Sequence, residues 1–86
     1  MSIPTIVDLV QTSPRAPSQW EGVLSDGRWL YVRHQRGELS MGVGATLDEA
    51  LASSASLDVE VAGAGESDAS WDQVAPHVLA RLGRPD

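Results

Sequence analysis

Two short reversals, Asp26-Gly27 and Arg36-Gly37, cut residues 19–44 into three runs of alternating hydrophobicity. Together they restrict this stretch to a three-stranded antiparallel meander over 19–25, 29–35 and 38–44. An Asp-Gly pair suits the positive φ angles of a type I′ turn, so a two-residue loop is expected. It would set Ser25 opposite Arg28, Leu24 opposite Trp29, Val23 opposite Leu30, Gly22 opposite Tyr31 and Trp20 opposite Arg33. The same loop at Arg36-Gly37 sets Gln35 opposite Glu38, His34 opposite Leu39, Val32 opposite Met41, Tyr31 opposite Gly42 and Leu30 opposite Val43. Side chains alternate across a strand, so this register places Val23, Leu30, Val32, Leu39, Met41 and Val43 on one face. The other face receives Trp20, Leu24, Trp29, Tyr31 and Arg33 over Gly22, Gly42, Gly44 and Ser40.

Glycine weakens a strand interior, so glycines around the rings call for a reason. Either another element packs there, the final helix with Trp71 or the N-terminal strand, and the glycines make room for it. Or Trp20, Trp29, Tyr31 and Arg33 form a partly open partner-binding platform, built from residue types enriched at interaction hot spots. On that second reading Arg33 stacks on Trp20 as a cation–π pair. Replacing Trp29 or Tyr31 with alanine then weakens partner capture and changes stability little.

Residues 3–12 are rich in Ile, Val and Thr. Positions 3, 6, 7 and 10 would also make one helical stripe, but β-branching and the early Pro4 favour an edge strand. Two prolines make 13–18 an extended connector. Thr46-Leu47-Asp48-Glu49 has the pattern of a capping box opening a helix over 46–53. Leu57-Asp58-Val59-Glu60-Val61 alternates as a half-buried strand does. Residues 62–69, all small, polar or acidic, read as a flexible acidic loop. Ser70-Trp71-Asp72-Gln73 is a second capping box, with Trp71, Val74, Ala75, Val78 and Leu82 on one stripe. Pro76 argues for a regular helix over 72–82 or for a kink. The expected architecture is α+β: a small, mainly antiparallel sheet with both short helices packed on its aliphatic face.

With 86 residues the chain is expected to be a single domain spanning 1–86. It has no cysteine, and His34 and His77 lack the spacing of a ligand set, so neither a metal nor another cofactor is expected. No apolar run approaches the ~20 residues that span a bilayer, and no secretory leader pattern opens the sequence, so a cytoplasmic protein is expected. The net charge of −6 is uneven: residues 1–47 balance four acids against four arginines, and the remainder holds eight acids against two arginines. Asp58, Glu60, Glu66, Asp68 and Asp72 form an acid-only stretch suited to a basic partner.

Arg28, Arg33 and Arg36 beside Trp29 and Tyr31 give a weaker, nucleic-acid-binding alternative, since they do not line a continuous groove. Catalysis finds little support. No serine sits in a nucleophile-elbow pattern, and neither histidine has a triad-like acid nearby. His34 reads as a satisfied residue near the rim of the aliphatic face. Gly42-Val43-Gly44-Ala45 is too short for a phosphate cradle, and Asp48 and Glu49 would repel the phosphate.

The run from Asp8 through Ser13-Pro14-Arg15-Ala16-Pro17-Ser18-Gln19-Trp20-Glu21-Gly22, then Asp26-Gly27-Arg28 and Tyr31-Val32-Arg33, resembles small proteins of actinobacteria and their phages. The likeness covers residues 8 to about 44 and brings no assigned reaction or site residue. A phage or mobile-element setting implies an inhibitor or immunity-type regulator. The function expected is a non-enzymatic protein-binding module using the aromatic face or the acidic second half. Nucleic-acid association and homo-oligomerisation, such as a homodimer through the Trp-rich face, are the alternatives.

Overall fold

The computed structural model describes residues 4–13, 18–35, 37–59, 61 and 69–83. Five strands form one antiparallel sheet whose spatial order follows the chain: β1 (Ile6–Ser13), β2 (Ser18–Leu24), β3 (Trp29–Gln35), β4 (Glu38–Gly44) and β5 (Ala55–Ser56). Two helices accompany it, the short α1 (Leu47–Ala52) and the longer α2 (Trp71–Leu82). The fold is therefore α+β with an antiparallel sheet. No helix among the described residues is long and apolar enough to cross a membrane.

β3 and β4 pair as the alternation predicts, from Gln35 opposite Glu38 to Trp29 opposite Gly44. The first hairpin does not. Trp20 faces Val32, Gly22 faces Leu30 and Val23 faces Trp29, one residue away from the expected register. The Leu24 N–H donates to the Arg28 carbonyl at 2.8 Å, so Ser25, Asp26 and Gly27 make a three-residue loop. Gly27 alone in that loop takes a positive φ, +88°, whereas a type I′ turn would require one at Asp26 as well. An odd-length loop reverses the side-chain parity of β2 relative to β3. Trp20 and Leu24 consequently join Leu30, Val32, Leu39 and Met41, and Val23 moves to the side of Trp29 and Tyr31.

β1 is a strand, as its β-branched residues favour, and it lies at the sheet edge. Its register with β2 shifts between Ile6 and Asp8 and again between Gln11 and Ser13, and such irregularities blunt an edge against further pairing. Residues 14–17 of the connector, 62–68 of the acidic loop, Glu60 and Arg36 lie outside the described residues. The fifth strand occupies 55–56 rather than 57–61. Asp58 has φ +55°, which breaks the ladder just after the Leu57 N–H reaches the Leu39 carbonyl at 2.8 Å. Leu57 and Val59 still turn inward, half-buried, and Val61 is buried.

The core joins Trp20, Leu24, Leu30, Val32 and Leu39 to Val74 and Val78 of α2. Trp20 and Trp71 meet at a centroid separation of 5.8 Å and an angle of 58°, a tilted aromatic pair. The Ala69 N–H donates to the buried Ser18 Oγ at 3.1 Å, tying the entry of α2 to the start of β2. Ser70 caps α2 in a reciprocal box with Gln73, so the helix begins at Trp71 and Pro76 lies within it. At α1, Thr46 Oγ1 accepts from the Glu49 N–H, while the Glu49 carboxylate reaches the Ala45 N–H rather than that of Thr46.

α1 lies on the aromatic side, not the aliphatic one. A Cβ built on Gly42, on the Tyr31 side of β4, would come within 2.0 Å of the Ala50 carbonyl oxygen, and one on Gly44 within 2.7 Å of the Ala50 nitrogen. The expected placement of both helices on one face is thus corrected: α2 covers the aliphatic face, and α1 occupies the space that the β4 glycines leave over the other.

Candidate protein-binding face

Of the four residues proposed as a platform, three share a side of the sheet. Trp20 is only 1 % exposed and belongs to the opposite layer, so it drops out, and the expected stack of Arg33 on Trp20 goes with it. The reason is the parity change at the Ser25-Asp26-Gly27 loop. Tyr31 remains on the aromatic side but is buried, 6 % exposed, with Gly42 opposite it and α1 seated over that glycine. Trp29 is half-buried and Arg33 exposed, its guanidinium donating from Nη2 to Gln35 Oε1 on the same strand.

Among the described residues, no further element packs over the half of this face away from α1. Across the strands, Asp8, Val23 and Trp29 form one row, and Val10, Glu21 and Tyr31 form the next. Val10 is 57 % exposed, Val23 and Trp29 are half-buried, Glu21 is half-buried and Asp8 is exposed. The result is an apolar diagonal of Val10, Val23 and Trp29 with a carboxylate on either side. Val23 and Glu21 are missed when a two-residue loop is assumed. The clue that recovers them is the tryptophan at position 20, too large to leave in water when a core face is available.

The acidic stretch is seen only in part. Asp58 and Asp72 are exposed, Asp72 in the first turn of α2, where a carboxylate favours the helix N-terminus. Glu60, Glu66 and Asp68 lie outside the described residues. Arg28 and Arg33 do not make a shared groove: Arg28 is opposite Leu24 on the core side, Arg33 is on the aromatic side, and Arg36 is not described.

His34 is buried at 1 % exposure on the core face rather than at its rim, and its Nδ1 has no hydrogen-bond partner among the described residues. No group of three His, Asp or Glu side chains able to hold a metal ion occurs among the described residues. Arg28 also engages the Asp26 carboxylate. The Arg28 side chain donates to it from Nε at 2.8 Å, the Arg28 N–H adds a second bond at 3.1 Å, and these hold its carboxyl below the ordinary aspartate range.

No protein-family model matches the chain, and neither does any curated protein or solved structure compared with it.

Proposed function

We propose that this protein is a small non-enzymatic binding module, an inhibitor or regulator, that recognises a protein partner through the open half of its aromatic face. The observation that supports this reading is the arrangement of Val10, Val23 and Trp29 between Asp8 and Glu21, left uncovered by the other described elements while α1 covers the neighbouring glycines. Apolar area flanked by carboxylates suits a basic, amphipathic segment, and the chain's net charge of −6 steers such a partner toward it. The exposed Asp58 and Asp72 add to that field.

The test is capture of partners from cell extract by the wild-type chain and by Val10→Arg and Glu21→Arg. Both positions face outward, so both variants are expected to melt within a few degrees of wild type. The reading requires that the same captured protein is lost from both variants. Equal capture by all three would refute it, and a dimer that Val10→Arg converts to monomer would make a second copy of the chain the occupant instead. Tyr31→Ala is a poor probe, because Tyr31 is buried beside α1 and its removal unsettles the fold.

A further inference from the structure

Beyond the open sheet face, we propose that a cleft of about 410 Å³ along the β4 edge of the sheet binds small organic anions, with Arg28 and Arg81 holding the charged group and Val43, Leu57 and Leu82 the apolar body. β5 pairs with only Ser40 and Met41, so the sheet edge beyond them opens into this space between the Leu57 segment and the end of α2. The volume suits a small ligand.

Three observations carry the assignment. The two arginines come from distant parts of the chain, the first hairpin and the last turn of α2, yet line the same cavity. The described residues lining it include no carboxylate, in a chain where acids outnumber arginines twelve to six. Donors are also free. The Arg81 side chain has no ion-pair or hydrogen-bond partner among the described residues. Asp26 holds Arg28 through Nε and one terminal nitrogen, which orients the guanidinium and leaves its other N–H groups available. Ser56 Oγ accepts from the Asp58 N–H at 3.1 Å, and its own proton is left to donate. Compensation of the helix dipole accounts for an arginine in the last turn of α2. It does not account for Arg28 on the same cavity or for the lack of a carboxylate among the described lining residues.

The experiment is a titration of the full chain, followed by backbone amide NMR, with inorganic phosphate, phenyl phosphate and benzoate at constant ionic strength. Saturable shifts are expected at Val43, Ser56 and Leu57, with phenyl phosphate binding more tightly than inorganic phosphate because of the apolar lining. Comparison with benzoate separates phosphate-bearing from carboxylate-bearing ligands. Arg81→Gln is exposed and should fold normally while weakening phenyl phosphate about tenfold, the factor carried by one charge-assisted hydrogen bond. Asp26→Asn keeps an oxygen for the Arg28 N–H but releases the guanidinium charge, and should tighten binding. Unchanged affinity in Arg81→Gln, or shifts spread equally around Arg33, would overturn the proposal.

Discussion

Replacing Gly42 with alanine tests the placement of α1 directly. The added methyl carbon would lie 2.0 Å from the Ala50 carbonyl oxygen, 2.8 Å from the Ser54 nitrogen and 3.0 Å from Ser53 Oγ. Two of these are backbone atoms that cannot rotate aside. Ordinary contact begins at 3.4 Å, so the helix must retreat by about 1.4 Å at Ala50. One response is strain at the contact, about 1–3 kcal/mol for an overpacked site. The other is undocking. A six-residue helix does not persist alone, so α1 would unravel and expose Tyr31 and Ala50, now 6 % and 0 % exposed. Burial of the ring is worth about 2 kcal/mol and that of a methyl about 0.8 kcal/mol. The Ser53 Oγ bond to the Val43 carbonyl, at 3.1 Å, adds about 1 kcal/mol. Undocking therefore costs about 4 kcal/mol, and strain is the cheaper route. Alanine also lowers the entropy of the unfolded chain, which returns about 0.4–1 kcal/mol. The expected net loss is about 1–2 kcal/mol in urea unfolding followed by circular dichroism, with faster amide exchange at Ala50 and Ser53 than at Val74 and Val78. A loss under about 0.5 kcal/mol with unchanged exchange would refute the docking of α1 on this face, since a methyl group facing solvent there would cost almost nothing.

Two further outcomes follow from local geometry. Pro76→Ala, at an exposed position inside α2, restores a donor for the Asp72 carbonyl and removes the ring clash, so thermal unfolding should rise by several degrees, corresponding to about 1–2 kcal/mol after the lost chain stiffness is subtracted; an unchanged melting temperature would mean that Pro76 imposes no helical penalty. Asp26 has a folded pKa below its ordinary value of 3.8, so its bonds to Arg28 contribute above that value and are lost as pH falls through the lower folded one; a carboxyl-detected NMR titration should show the depressed midpoint, and Arg28→Gln should move it back up.

Much of the fold is legible along the chain, because its determinants there are local. The Gln35 to Glu38 ladder follows from a two-residue loop, and both helix starts follow from a hydroxyl three residues ahead of a Glu or Gln. The inward positions 57 and 59 are readable even though Asp58 ends the pairing that strict alternation suggests. The face chosen by α1 is harder to read: its stripe of Leu47, Ala50 and Leu51 is too narrow to show direction, and Leu51 ends up exposed. The decisive information lies in Gly42 and Gly44, whose missing side chains admit the helix backbone.

The first hairpin shows how a two-residue loop misplaces one candidate site residue and misses two others. Turn preference and burial act at different scales. Placing Asp26 in the left-handed region for a type I′ turn carries a penalty of about 1 kcal/mol, which the three-residue loop avoids by leaving the positive φ to Gly27 alone. The slipped register would put Val23 in the core and expel Trp20 and Leu24, both now 1 % exposed. At about 1.5–3 kcal/mol for each large apolar side chain, burying two in place of one favours the observed pairing by about 2–3 kcal/mol before the contact with Trp71 is added. Both terms point the same way. The larger depends on Trp71, which enters from the far end of the chain and which no window around Asp26-Gly27 contains. Burial under the distant α2 favours the observed parity of β2, and through it the open side carries Glu21 and Val23 beside Trp29 instead of a second tryptophan.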